Sequence, residues 1–142
     1  MPDYSRTQLD FTLNTATTAY QKSPALAALK TGGFVTVWAT TDATQDGNLG
    51  AIKSQLLNSA GEKVGAEILV NTATYSDQYQ PSVTVLSNGN FVVTWTTGDT
   101  FEDGSGLAVK AQMFTAAGAK VGSEFLVETQ TTMNQQKSTI TA

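Results

Sequence analysis

The chain has neither cysteine nor histidine among its 142 residues. Without cysteine there is no disulfide, no thiolate metal site and no cysteine nucleophile. Without histidine the usual general base at neutral pH is missing, together with the usual zinc ligand. A Ser/His/Asp or Cys/His catalytic device cannot be assembled from this sequence. Charge is scarce too: charged residues make up 14% of the chain, against roughly 25% in an ordinary globular domain. The eight lysines and arginines are scattered singly, the net charge is −4 and the pI is about 4.5. That balance argues against a nucleic-acid partner, because phosphate binding needs a basic patch. No apolar run approaches the roughly 18 residues of a membrane span, so membrane insertion is not expected. The opening stretch, Met1 to Arg6, lacks the apolar core of a signal peptide. The expectation is export without a cleaved N-terminal signal, or excision from a larger protein.

What fills the gap is threonine, glutamine, asparagine, serine and glycine, within a chain that is still 40% hydrophobic. Threonine and aromatic residues suit strands, while asparagine, aspartate and glycine suit turns. The composition therefore leans toward β structure before any pattern is read. The pattern itself is a tandem repeat. Leu13-Asn14-Thr15-Ala16-Thr17 returns as Val70-Asn71-Thr72-Ala73-Thr74, a shift of 57 residues, and returns again, degraded, as Val127-Glu128-Thr129-Gln130-Thr131. Pro24, Phe34, Trp38, Lys53, Gln55, Gly61 and Glu67 all find the same residue 57 positions on, without a gap. About 26 of the 57 aligned positions are identical, and duplication is the only sensible origin for that. The chain divides into a strand stub at 1–13, a first repeat at 14–70, a second at 71–127 and the start of a third at 128–142.

Each repeat reads as four short strands. In the second repeat they are Ser82 to Leu86, entered by Pro81; Phe91 to Thr97, after the turn at Asn88-Gly89-Asn90; Leu107 to Phe114; and Glu124 to Val127. The Phe91 strand is apolar on both faces, as a strand covered from both sides must be. The expected fold is all-β: two four-stranded antiparallel meanders, arranged like propeller blades, with partial strands at both ends. One blade cannot bury both of its faces, and propellers generally need about four to eight. Further repeats or further copies of the chain are thus expected as neighbours, the unpaired edges of the stubs inviting them.

Few residues suggest a site. Asp42 and Asp46, with their copies Asp99 and Asp103, are clustered carboxylates that could hold calcium together with loop carbonyls. Equally, aspartate and glycine there shape a turn. Trp38 and Trp95 could stack on sugar rings, or fill the core beside Phe34 and Phe91. Gln21 and Gln78, like Gln55 and Gln112, persist through the duplication; all four read either as ligand contacts or as buried amides tying blade to blade. Tyr20, Tyr75 and Tyr79 near the repeat junctions are further sugar-contact candidates. Catalysis is discounted at this level, because a glycosidase needs two differently tuned acids and the acids here come as copies in equivalent settings.

The run Phe91-Val92-Val93-Thr94-Trp95, then Asp103-Gly104-Ser105-Gly106, Ala111-Gln112-Met113-Phe114, Ala117-Gly118 and Gly122-Ser123-Glu124-Phe125, resembles a bacterial repeat. It is similar to the tandem units of large secreted proteins of the RTX (hemolysin-type calcium-binding) and giant-adhesin kind. The chain departs from them in lacking glycine-rich GGxGxD nonapeptides. The resemblance implies a secreted or cell-surface bacterial protein and a non-enzymatic structural or adhesive role without a cofactor. The alternatives are a lectin-like oligomeric propeller that binds cell-surface glycans and a calcium-stabilised spacer.

Overall fold

A computed structural model describes residues 10–45, 47, 50–98, 104, 106–129 and 133–142. The fold is all-β, as expected. One antiparallel sheet runs in the order β1 (Gln21–Ala28), β2 (Phe34–Thr40), β3 (Ala51–Leu57), β4 (Lys63–Leu69). The second repeats it as β5 (Gln78–Val85), β6 (Phe91–Thr97), β7 (Ala108–Phe114), β8 (Lys120–Leu126). Neighbouring strands in sequence are neighbours in space, so each sheet is a simple meander. We call the sheets blade 1 and blade 2.

The blades stack face on face with the same polarity. Along β2, Val35, Val37 and Ala39 alternate with Phe34, Thr36 and Trp38, and the first three enter the common core. Along β6 the core residues are Phe91, Val93 and Trp95, which are the counterparts of Phe34, Thr36 and Trp38. Successive side chains on a strand point to opposite faces. One face of blade 1 therefore meets the opposite face of blade 2, a head-to-tail stack. Phe91 also stacks on Phe114 with ring centroids 5.0 Å apart. Gly118, in the turn before β8, is required by this contact. A Cβ there would stand 2.5 Å from Ile68 Cδ1, and its φ of 87° is unfavourable to any side chain. β5 packs against β1, β2 and β3 together, so the sheets converge at the β1 and β5 edge, which makes these the inner strands.

A polar clasp reinforces the stack. Asn71 Oδ1 accepts the Ile52 N–H of blade 1 at 2.8 Å. The next residue, Thr72, donates its N–H to Glu124 in blade 2. Glu128, 57 residues after Asn71, accepts the Val109 N–H at 2.9 Å in the same way. The expectation that Gln55 and Gln112 bridge the blades does not hold, since both act inside their own blade. Between Ser54 and Leu56 the register with β4 shifts, and the same happens between Ala111 and Met113. The Gln55 amide fills that irregularity, donating to Leu56 O, Val64 O and Gly65 O at 3.0–3.3 Å. Gln112 does the same for Met113 O, Val121 O and Gly122 O.

The inner strands are longer than the sequence implied. Pro81 does not start its strand but lies within Gln78–Val85. Between the pairs Tyr79↔Thr96 and Ser82↔Thr94, residues Gln80 and Pro81 stand opposite Trp95 alone. This is a β-bulge, where the ladder is already interrupted and the missing proline N–H costs nothing.

One buried ion pair closes the outer half of each blade. Lys110 is fully buried and its Nζ lies 2.9 Å from Glu124 Oε1. The copy, Lys53 to Glu67, is looser at 3.7 Å and less sealed. Burial pushes the Glu124 carboxyl up, but the Thr72 N–H, the Lys110 ammonium and the Ala73 N–H outweigh it and hold the group below its ordinary value. Removing one partner of a buried pair strands the other charge. Lys110→Met should therefore cost about 3–5 kcal/mol, and Lys53→Met on the order of 1 kcal/mol, both read by urea unfolding. A carboxyl with a depressed folded pKa stabilises fully above its unfolded value and loses that contribution as the pH falls through the folded one. Unfolding free energy should accordingly drop with acidification below about pH 4.5, the ordinary glutamate value, and the drop should be shallower in Glu124→Gln.

Candidate functional site

The two ends of the stack differ in kind. At one end the strands join through tight turns, closed by bonds such as Leu86 N to Asn90 O at 2.7 Å and Thr115 N to Ala119 O at 2.8 Å. At the other end lie the described residues 41–45, 50, 98 and 106–107 of the connections that follow β2 and β6, and the crossover at 70–77. Function collects on loops held by a rigid scaffold, and the loop end is where the inner strands begin.

Two hollows lie along those beginnings. One, of about 320 Å³, is lined by Ser23, Pro24, Gln80, Pro81, Ser82, Lys137, Ser138 and Thr139. Ser23, Gln80 and Lys137 are equivalent residues of three successive repeats, each 57 positions from the next. All three have left-handed backbone, with φ of 54°, 53° and 59°. A non-glycine residue held there costs on the order of 1–3 kcal/mol, and such strain gathers at functional sites. Ser23 and Gln80 stand in β-bulges of β1 and β5, and Lys137 repeats their backbone conformation outside any strand. Gln80 Oε1 is buried without a hydrogen-bond partner among the described residues, so an acceptor is left unspent beside the hollow.

The second hollow, of about 400 Å³, is lined by Lys22, Thr41, Gly50, Asp77, Gln78 and Tyr79. Here blade 1 meets the start of β5: Gln78 donates its N–H to Gly50 O at 3.3 Å. Gly50 is needed because a Cβ would come within 3.1 Å of Asp77 Oδ1. Asp77 is exposed, and Tyr79 is half-buried. Burial, with the Asp77 carboxylate, pushes the Tyr79 hydroxyl above its ordinary value, so it stays a neutral donor at physiological pH. The hollow thus offers a carboxylate, an ammonium, a phenol and a ring. Sequence reasoning singled out Tyr79 and Gln78 among the lining residues. Asp77 escaped it because the acids weighed were those of the 42–48 and 99–105 segments; its counterparts are Tyr20 and Asn134.

The other sequence candidates fall elsewhere. Trp95 is fully buried and donates its Nε1–H to Gln78 Oε1 at 2.7 Å. Trp38 borders a small hollow of about 180 Å³ with Leu13, Asn14, Gln21, Lys22 and Pro24. The counterparts of those residues in blade 2 pack toward blade 1, which marks this hollow as an open stacking face. Gln55 and Gln112 are buried, with their amide donors taken by the bulge carbonyls. Tyr20 and Tyr75 are exposed and line neither inner-strand hollow. Asp42 is buried and shapes a turn: its carboxylate accepts from the Thr44 hydroxyl at 2.7 Å, the Thr44 N–H at 3.0 Å and the Thr18 hydroxyl at 3.1 Å. Those bonds, the Thr44 hydroxyl foremost, hold its carboxyl below the ordinary value. Asp46, Asp99 and Asp103 lie outside the described residues.

No family model matches the chain, and no curated protein matches it either. Among solved structures the fold is similar to that of an endo-arabinase from Bacteroides thetaiotaomicron, with a TM-score of 0.56 and 14% identity. The likeness covers 82% of this chain and 46% of the endo-arabinase, so the chain spans about half the length of that enzyme. The finding overturns the expectation of a non-enzymatic structural or adhesive module, because this arrangement of sheets is one that an enzyme uses. The physical reason is plain in retrospect. Cleaving a glycosidic bond requires carboxylates and neither histidine nor cysteine, and the acids of this chain are not all copies in equivalent settings. At this identity the likeness establishes the fold, and the shared architecture is the whole of what it shows.

Proposed function

We propose that this chain is part of a carbohydrate-active protein whose inner-strand hollows bind a stretch of polysaccharide. The observation that carries this reading is the threefold recurrence of one left-handed residue, at Ser23, Gln80 and Lys137, beside a loop-end hollow with a single unduplicated carboxylate. A polysaccharide is itself a repeating ligand. A binding surface that repeats a kink, a hydroxyl or amide and an open backbone meets successive sugars with similar chemistry. Sugar hydroxyls need both donors and acceptors, and ligand sites combine an apolar wall with a few placed polar groups. Gln80, Ser138 and Thr139 supply the polar groups, and the Pro24 and Pro81 rings and Tyr79 supply the wall. The likeness to an endo-arabinase supports an arabinose-based polymer as the first ligand to try.

Hydrolysis needs a pair of carboxylates about 5–9.5 Å apart. Asp77 is the acid we assign to the site, and the flanking loops carry Asp46, Asp99, Glu102 and Asp103 in sequence. Gel retardation in linear arabinan, with xylan and galactan alongside, tests binding, and reducing-sugar release tests cleavage. Asp77→Asn should abolish release while leaving retardation largely intact. Migration unchanged by all three polymers would end the proposal. Gln80→Gly gives a second check. It should leave stability unchanged or raise it by up to about 1 kcal/mol through relief of the left-handed strain, yet weaken retardation. A fall in melting temperature together with unchanged retardation would show that the bulge serves the fold alone.

A further inference from the structure

The contact that joins the blades is offered again at both ends of the stack. Gly118 in the turn before β8 sits against Ile68 of blade 1. In blade 1 the corresponding turn brings Gly61 toward Phe11, where a Cβ would lie 4.0 Å from the ring. Phe11 precedes Ile68 by 57 positions, so residues before the first repeat imitate the outer strand of a preceding blade. Phe125 follows Ile68 by 57 positions and is 50% exposed, with Val127 beside it at 52%, whereas its counterpart Val70 is fully buried. On the opposite open face Phe34 is 36% exposed, whereas Phe91 is fully buried. Each end of the stack therefore shows the half of the interface that the other end lacks.

We infer that these two faces join copies of this chain head to tail, blade 2 of one copy against blade 1 of the next. The register is the one that already joins blade 1 to blade 2, and the interface is heterologous: it continues until a ring closes or the stack ends. The partner is a second copy because its blade 1 presents the complement in sequence as well as in shape. Two segments must give way: the residues around Phe11, which already sit against Gly61 where the incoming Phe125 belongs, and the last residues of the chain. Residues 137–140 lie on the far face of blade 2 where an inner strand belongs, held by Lys137 N to Thr96 Oγ1 at 3.2 Å and Ser138 Oγ to Thr94 Oγ1 at 2.9 Å. They form no strand, so β1 of the incoming copy replaces a loosely bonded segment with a full sheet. Each added copy also extends the row of bulges by two. The inference does not depend on what the hollows bind.

The absence of cysteine makes the test direct, since introduced thiols are the sole ones. Ala60→Cys, beside Gly61, and Phe125→Cys are prepared as separate full chains, each checked for parental circular dichroism and melting. Mixed and mildly oxidised, they should give a disulfide-linked heterodimer about tenfold above the dimer formed by either alone, because the interface holds the two thiols adjacent. Sedimentation of the parent chain should show an average mass that rises with concentration, and Phe125→Glu should remain a monomer. Equal cross-linking in all three samples, a dominant Phe125→Cys homodimer, or a parent chain that stays a monomer throughout the series would each overturn the inference.

Discussion

The second strand of each repeat is apolar on both faces, and the rest of the structure follows from burying both. Val35, Val37 and Ala39 on one side of β2, and Phe91, Val93 and Trp95 on the opposite side of β6, become one core when two sheets stack with equal polarity. A four-stranded meander left alone would expose both of those faces, at about 25 cal/mol for each square ångström of apolar surface. Because the two faces of a repeat differ, the stack must be head to tail. Head-to-tail stacking in turn fixes where the turns, the clasp of Asn71 and the buried lysine–glutamate pairs can lie.

Stacking also determines where irregularity is tolerated. The middle strands β2, β3, β6 and β7 pair in unbroken register with each other, Phe34↔Leu57 through Thr40↔Ala51 and their copies. Irregularities are pushed to the first and last strands. At the outer strand the distortion is absorbed internally, by the amides of Gln55 and Gln112. At the inner strand the left-handed residues Ser23 and Gln80 stand in the bulges and, with Lys137, border a hollow. The same defect is thus silent on one edge of the blade and available to a ligand on the other.

The architecture was legible in the sequence because duplication prints it twice. Strand order, the turn at Asn88-Gly89-Asn90 and the two-sided burial of the Phe91 strand all follow from period-two apolarity and the 57-residue offset. The inner strands were misread at Pro81, since a proline inside a strand is ordinarily a boundary and no local signal announces a bulge opposite a tryptophan. Gln55 and Gln112 were rightly singled out as persistent, but persistence does not say in which direction an amide points. Asp77 was invisible for a deeper reason: attention to what the repeats share hides what one repeat has alone.

That last point bears on how a duplicated fold acquires chemistry. Positions kept in both repeats, among them Trp38 and Trp95, Lys53 and Lys110, Gln55 and Gln112, Glu67 and Glu124, are buried or bonded within the scaffold. Other positions diverge between the repeats. Tyr20, Asp77 and Asn134 occupy one such site in three successive repeats, and Ser23, Gln80 and Lys137 another. Val37 and Ala39 became Thr94 and Thr96 on the far face of blade 2, where hydroxyls now hold residues 137 and 138. The core of the stack draws on both sets, since Val37, Ala39 and Ile52 pack in it although their counterparts are Thr94, Thr96 and Val109, so only the exposed divergent positions can change at little cost in stability. The exposed divergent positions are therefore free to serve an end other than the stack, and Asp77, Ser23 and Lys137 among them line the hollows beside it.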